Sequence, residues 1–162
     1  RPLFVQSVIE IFWRSTMKVR IEKGGWRTLE HPARRVRMMV FVAEQKVPLE
    51  EEIDALDPES THFVAWDDER ATLGCARLTP DGRIGRVAVL MPFRGRGVGA
   101  RLMEAAVEEA REKGFPRVVL NAQTHARGFY ERLGFRAEGE PFDECGIEHI
   151  RMVLDLRAPV AH

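Results

Sequence analysis

Three glycines and two arginines alternate through Arg94-Gly95-Arg96-Gly97-Val98-Gly99-Ala100. The glycines leave backbone N–H groups unshielded, and residues at helical spacing follow directly. A helix N-terminus adds the positive end of its dipole. The apolar run Arg86-Val87-Ala88-Val89-Leu90 precedes the loop. Strand, glycine-rich loop and helix N-terminus, in that order, form a unit suited to holding a phosphate group.

The flanking sequence decides which phosphorylated cofactor fits. Gly95-x-Gly97-x-x-Ala100 formally matches the dinucleotide fingerprint. That fold, however, places its loop in the first strand–helix–strand unit, with an acidic residue about twenty positions on. Here the loop lies past mid-chain behind a run of short strands. The strand expected after it, 117–121, ends in Asn121, and too little chain remains to complete a parallel sheet. A Walker loop is excluded because no Gly-Lys-Ser/Thr follows.

The elements that must position this loop can be read from periodicity and breakers. Lys18–Glu22 alternates as a short strand, which Gly24-Gly25 breaks. Val36, Met39, Val40 and Ala43 recur at helical spacing, which predicts a helix over 31–45. Pro48 and an acidic run form a connection. Three strands over roughly 61–90 read as an antiparallel meander, with Pro80-Asp81-Gly82 as one of its turns. Val98, Leu102, Ala106 and Ala110 recur every fourth residue, so a helix runs from the loop to Gly114, and Pro116 prevents its return. A strand at 117–121, a helix at 124–133 and strands at 135–138 and 148–156 complete the order. The fold class is α/β (α+β): a mixed, mostly antiparallel sheet flanked by helices.

Composition narrows the function. At 162 residues the chain reads as one domain over 17–156, with 1–16 as an extension and 157–162 as a tail. A formal net charge of zero argues against a nucleic-acid binder with a global positive field. The charges are still uneven. Arg83, Arg86, Arg94, Arg96 and Arg101 crowd the glycine loop, and Glu50, Glu51, Glu52, Asp54, Asp57 and Glu59 crowd an earlier segment. The first group suits an anionic cofactor. The second suits a cationic substrate or is simply a solvated face. Two cysteines give no disulfide framework or paired zinc spacing, and five histidines form no metal-binding cluster, so no metal is expected. A cytoplasmic protein with no membrane association fits these features. The apolar opening stretch is too short to span a bilayer.

Val87-Ala88-Val89, the loop 94–100, a helix, a strand and Phe129-Tyr130-Glu131-Arg132-Leu133-Gly134-Phe135 together resemble the GNAT superfamily of N-acetyltransferases. The resemblance spans about 38–154. Phe41-Val42-x-Glu44-Gln45, Asp54, His62, Gly85-Arg86-Val87, Ala122-Gln123 and His149-x-x-Met152 are similar to a small bacterial branch with mostly unassigned acceptors. The resemblance implies acetyl-coenzyme A as cosubstrate. The backbone of Arg94, Gly95, Arg96, Gly97, Val98, Gly99 and Ala100 would bind its pyrophosphate. Its pantetheine arm would lie along Val87, Ala88 and Val89, with Gln123 and Phe129 beside it. Gln123 stands near a position where the superfamily often has asparagine, and Phe129 also suits core packing.

The resemblance also assigns Tyr130, the sole tyrosine, the role of general acid. A phenol of pKa about 10 can protonate a thiolate whose conjugate acid lies near 8.5. An alkylamine must lose a proton to become nucleophilic, and Glu44, Asp54, His62 and His149 are candidates to take it. Glu44 is favoured because it ends a helix near the expected acceptor cleft. Cys145 as an acyl-enzyme nucleophile is disfavoured, since direct transfer needs no covalent intermediate. The implied partner is a small-molecule or peptide amine, and self-association as a homodimer is left open. Two alternative functions stand beside this one: a non-catalytic acyl-CoA sensor and a dinucleotide-binding module.

Overall fold

The computed structural model describes residues 18–157. The expected extension 1–16 and residues 158–162 of the expected tail lie outside the described residues. Antiparallel pairing joins β1 (Arg20–Gly24), β2 (Thr61–Trp66), β3 (Thr72–Leu78) and β4 (Ile84–Val89) in chain order. A second antiparallel sheet has the order β5-β7-β6, from β5 (Arg117–Gln123), β6 (Arg136–Glu144) and β7 (Ile147–Asp155). Among the described residues one parallel bridge, Arg83 to Val119, links the two sheets, and the Val119 N–H donates to the Gly82 carbonyl at 3.1 Å. Beyond it β4 and β5 separate. The architecture is the mixed, mostly antiparallel sheet flanked by helices that the sequence predicts.

Helices cover both faces. On one, α1 (Trp26–Arg37) lays Leu29, Ala33, Val36 and, one turn on, Val40 against Val64, Cys75 and Ala88. On the other, α3 (Val98–Glu112) buries Val98, Leu102, Met103, Ala106 and Ala110 against β1 to β5. Fully burying a side chain the size of Leu102 or Met103 contributes about 1.5–3 kcal/mol. Covered on both sides, β3 is buried along its whole length, which accounts for its mainly apolar sequence, with Arg77 accommodated inside by pairing to Asp54 and Asp57. Gly74 in β3 is required, because a Cβ there would sit 2.6 Å from the Ala88 carbonyl oxygen.

Three boundaries differ from expectation. The first helix begins at Trp26, not 31, because Gly25 ends the break in extended conformation and its carbonyl accepts the Leu29 N–H at 3.1 Å. It continues past Arg37 as a π-helix, Met38–Glu44. Strand β5 runs on to Gln123. The strand expected at 135–138 runs on to Glu144 and forms one hairpin with the last strand, which is shifted by one residue from expectation, with Gly139 and Pro141 absorbed in a bulge between Glu138 and Phe142. Its tip is a two-residue turn, Cys145-Gly146, with φ of 53° and 78°, the geometry of a type I′ turn.

Two residues of the acidic segment, Glu52 and Asp57, are internal, while Glu50, Glu51 and Glu59 stay exposed. Short helix α2 (Leu49–Glu52) and the turn at Asp57–Glu59 carry Glu52 and Asp57 into the interior beneath α1. Arg37, 1% exposed, donates from Nε to both Glu52 carboxylate oxygens at 2.9 and 3.0 Å and through Nη1 and Nη2 to Asp57 at 2.8 and 3.0 Å. Arg77 reaches Asp54 and Asp57 at 2.8 and 3.1 Å, and Arg86 pairs with Glu52 and Asp54 at 2.9 and 3.1 Å. Three arginines thus face three carboxylates. Burial opposes ionisation of Asp57, yet the hydrogen bonds from Arg37 and Arg77 outweigh it and hold its pKa below the usual range.

Removing one partner from such a cluster leaves a buried charge uncompensated, which costs about 3–5 kcal/mol. Arg37→Met should lower stability to urea by that amount, because both Glu52 and Asp57 lose their principal donor. A loss below about 1 kcal/mol in equilibrium unfolding would mean that the cluster does not hold α2 in place.

Candidate acyl-transfer site

The separation of β4 from β5 starts with a bulge. Cys75 pairs with Ala88 while Arg77 pairs with Gly85, so β4 contains one residue more than β3 across the step. Arg86 takes φ of 51° there, a left-handed conformation that is unfavourable for a residue with a Cβ. Its guanidinium is anchored in the buried cluster, and its carbonyl accepts the Cys75 thiol at 3.3 Å. Tertiary contacts therefore hold a backbone conformation that the local sequence disfavours. Past the bulge, the Leu90 N–H returns to the Leu73 carbonyl at 2.9 Å. Strand alternation then turns the backbone groups of Val87 and Val89 outward, toward β5.

A cavity of about 590 Å³ fills the gap. Val87, Ala88, Val89 and Arg94 line one end, and Tyr130 and Gln123 line its β5 side. Glu51, Glu144, Cys145 and His149 line the end nearest the β6–β7 hairpin. Val40, Phe41 and Gln45, on and after the π-helix, form another wall. π-Helical turns are common beside functional sites because they displace side chains from regular spacing.

The glycine loop closes the other end. Gly95 and Gly97 have φ of 77° and 84°, and neither has an atom within 4 Å of where a Cβ would lie. Gly97 is the N-cap of α3, with no side-chain cap and no acidic residue in the first turn. The first N–H groups of α3 are the unpaired donors of a helix start. Gly99 packs 3.4 Å from the Phe129 ring, measured at its absent Cβ. A second hollow of about 500 Å³ borders the loop, lined by Arg96, Arg101 and Glu104 among others. The arrangement can hold a phosphate chain at the loop and a slender arm in the gap.

The other expected site residues fall into distinct places. Arg94 braces the loop: its Nε donates to the Val89 carbonyl at 2.8 Å and its Nη2 to both Glu44 oxygens at 2.9 and 3.0 Å. Glu44, expected to take the amine's proton, is not among the residues lining the cavity, and its carboxylate is held by Arg94, which does line it. The π-helix turns it toward Arg94, with which it forms a strut. Gln123 exchanges amide hydrogen bonds with Gln45 at 2.8 and 3.3 Å and lies 2.8 Å from His125 Nε2. It ties β5 to the π-helical segment. Phe129 packs edge-on against Tyr130, with ring centroids 4.9 Å apart, wedged toward Gly99. Val98 is buried in the core and anchors the loop from below.

Of the other proton acceptors considered, His62 and Asp54 are structural. His62 is 1% exposed, its Nε2 donates to the Asp57 carbonyl at 2.9 Å, and burial lowers its pKa, keeping it neutral. Asp54 is paired with Arg77 and Arg86. His149 faces the cavity. Its Nδ1 lies 2.7 Å from the Ile147 carbonyl oxygen. A carbonyl only accepts, so Nδ1 carries the proton and neutral His149 keeps a lone pair on Nε2. The Glu144 carboxylate lies 3.5 Å from Nε2, where it would stabilise a proton gained there. Glu51 and Glu144 were not singled out from sequence as site residues. Only the hairpin tip and α2 bring them to the cavity, and no local motif marks either.

The model of the acetyltransferase (GNAT) domain family matches residues 31–156. A Bacillus subtilis protein named as an uncharacterised N-acetyltransferase, YjcF, is 42% identical over 124 residues, covering 74% of this chain and 88% of its own. The crystal structure of an acyl-CoA N-acyltransferase from Pseudomonas aeruginosa superimposes with a TM-score of 0.70 at 33% identity, covering 85% of this chain and 99% of that one. Escherichia coli ElaA gives a TM-score of 0.73 at 29% identity, with 84% and 99% coverage. The chain belongs to the GNAT acetyltransferase family, whose cosubstrate is an acyl-CoA.

Burial pushes the Tyr130 phenol up to about 12. Because it is the only tyrosine, tyrosinate absorbance reports on it alone. An alkaline titration of the native chain should show no ionisation through pH 10.5. A transition near pH 10 while the near-ultraviolet circular dichroism stays native would mean that Tyr130 is solvated.

Proposed function

We propose that the chain transfers an acetyl group from acetyl-CoA directly to a primary amine, with Tyr130 as proton donor and His149 as proton acceptor. One observation carries this reading. The gap between β4 and β5 runs from an uncapped, glycine-lined helix start to a cavity lined by one phenol and two imidazoles, of which His125 is bonded to Gln123 through Nε2 and His149 is bonded through Nδ1, leaving its Nε2 for a proton. Open space at Gly95 and Gly97 supports the fit of a pyrophosphate against backbone. Bound acetyl-CoA supplies a thioester carbonyl that an amine can attack and a sulfur that leaves.

The residues act around that chemistry. The first N–H groups of α3 hold the phosphates, and the outer edge of β4 at Val87–Val89 aligns the arm. Tyr130 remains a phenol at every physiological pH, so it is always available to donate. Complete transfer from a group near pKa 12 to a thiolate near 8.5 is uphill by roughly 5 kcal/mol. Tyr130 therefore assists chiefly by hydrogen-bonding to the leaving sulfur as its charge develops. His149 Nε2 takes the amine proton, and Glu144 offsets the resulting charge. No residue in this scheme needs a metal, and the free thiols of Cys75 and Cys145 accord with a cytoplasmic setting.

Four variants test the assignment through free-thiol release with an amine panel and through calorimetric titration of acetyl-CoA. Tyr130→Phe and His149→Gln should each lower turnover by roughly 10²–10⁴-fold with nearly unchanged cofactor affinity. Glu44→Gln should keep its turnover per bound cofactor, and equal losses in Glu44→Gln and His149→Gln would remove His149 as acceptor. Gly97→Ala forces a Cβ into a left-handed position at about 1–2 kcal/mol and shields the loop backbone. Its acetyl-CoA affinity should fall at least tenfold while the fold persists. Unchanged affinity would move the phosphates elsewhere.

A further inference from the structure

With Glu52, Asp54 and Asp57 paired to the buried arginines, the charge left in the cavity is not acidic at every point. Of the arginines lining it, Arg77 and Arg86 belong to the buried cluster and Arg94 is held by Glu44. Arg83 is different. Among the described residues its guanidinium makes no hydrogen bond, and no carboxylate lies within 4.0 Å of it. Asp81 accepts from the Thr79 hydroxyl and feels the Arg83 charge, which helps hold its pKa below the usual range, but makes no direct ion pair with it.

Strand geometry fixes which way Arg83 faces. Ile84 pairs with Leu78, and both are buried in the core under α3. Its neighbours in β4 therefore face the opposite side, where Gly85 pairs with Arg77. On β5, Val118, Leu120 and Ala122 enter the α3 core, which puts Asn121 on the same side as Arg83. Gly85 lines the same cavity and has no atom within 4 Å of a Cβ position, so side-chain-sized space is open there. Three features meet there: a guanidinium fork without a partner, a carboxamide and a vacancy the size of a side chain. The opposite lining carries Glu51, Glu144 and His149.

We infer that the acceptor amine also carries a carboxylate, bound by Arg83 with Asn121 beside it, so that the substrate class is an amino acid or a related amino carboxylate. A guanidinium binds a carboxylate through two parallel N–H donors, and an asparagine amide can add a third. A single guanidinium without a direct ion pair among the described residues, already offset in part by Asp81, matches a monoanion better than a phosphate dianion. The amine end then lies toward Glu51, Glu144 and His149. This rests on the acetyl-transfer reading and goes beyond it in naming the acceptor's second group.

The test follows the Arg83 Nε–H resonance in the full chain, assigned as the one lost in Arg83→Lys. The titrants are ω-amino carboxylates of two to six carbons, α-amino acids, alkylamines of matched length and methyl phosphate, with and without coenzyme A. At least one amino carboxylate should shift the resonance saturably and bind at least tenfold more tightly than its matched alkylamine. Arg83→Gln removes no ion pair, so its thermal midpoint should hold while that affinity falls tenfold or more. The inference is overturned if no amino carboxylate moves the resonance, if methyl phosphate binds more tightly, or if Arg83→Gln binds carboxylates as well as the parent. Free-thiol release on the same panel separates the two claims. Turnover of alkylamines as fast as amino carboxylates keeps the transferase and overturns the carboxylate site. Saturable binding at Arg83 with no thiol release from any titrant keeps the anion site and counts against the transferase.

Discussion

β4 and β5 share one bridge, Arg83 to Val119, and the rest of the molecule depends on their parting beyond it. Two parallel strands that begin side by side would ordinarily continue to pair, since each unpaired N–H and C=O in the interior loses a hydrogen bond. Here the bulge at Arg86 turns β4 away. The left-handed backbone at that residue is held by the ion cluster beneath it, through Glu52 and Asp54. Across the gap, the reciprocal amide pair of Gln45 and Gln123 spans the π-helical segment and β5. The cavity is thus a defect in sheet pairing, kept open from below by buried charge and bridged by one polar contact.

That arrangement accounts for a feature hard to justify on stability alone. Replacing a buried ion cluster with well-packed apolar residues is often neutral or stabilising. Apolar residues, however, could not hold Arg86 in its conformation or fix α2 so that Glu51 reaches the cavity. The six charges sum to zero, so the cluster forms a rigid floor without imposing a net field on what lies above it. Polarity in the cavity is then set by a few residues outside the cluster: Arg83 toward one side, Glu51, Glu144 and His149 toward the other.

The parts of the site legible in the sequence are those determined by local chain chemistry. A phosphate-binding helix start needs glycines and a following apolar period, both contiguous in 94–110, and the structure has both. The Phe129–Phe135 segment likewise puts Tyr130 at the cavity wall. The illegible parts depend on partners distant in sequence. Glu44 ends a helix as expected, but its pairing with Arg94, fifty residues away, takes it out of the cavity. The acidic run looked like a surface that attracts cations, yet Glu52 and Asp57 are buried because Arg37, Arg77 and Arg86 converge on them. The first helix starts earlier than expected because Gly25 caps it instead of breaking the chain. The hairpin tip that delivers Glu144 was hidden because Gly139 and Pro141 read as a loop.

The raised pKa of Tyr130 and the free lone pair of His149 belong to one physical design. The same exclusion of water that pushes the phenol up to about 12 strengthens any hydrogen bond it makes to a developing charge. Near solvent the phenol would be a better acid and a weaker electrostatic partner. Phe129 enforces the choice. Its ring packs edge-on to Tyr130 on one side and against Gly99 on the other, so the glycine loop and Tyr130 are fixed to each other through a single side chain. A Cβ at position 99 would meet that ring at 3.4 Å, an ordinary packing distance. Packing alone therefore does not require glycine at 99, whereas Phe129 fills the space between the helix start and Tyr130 and fixes their separation.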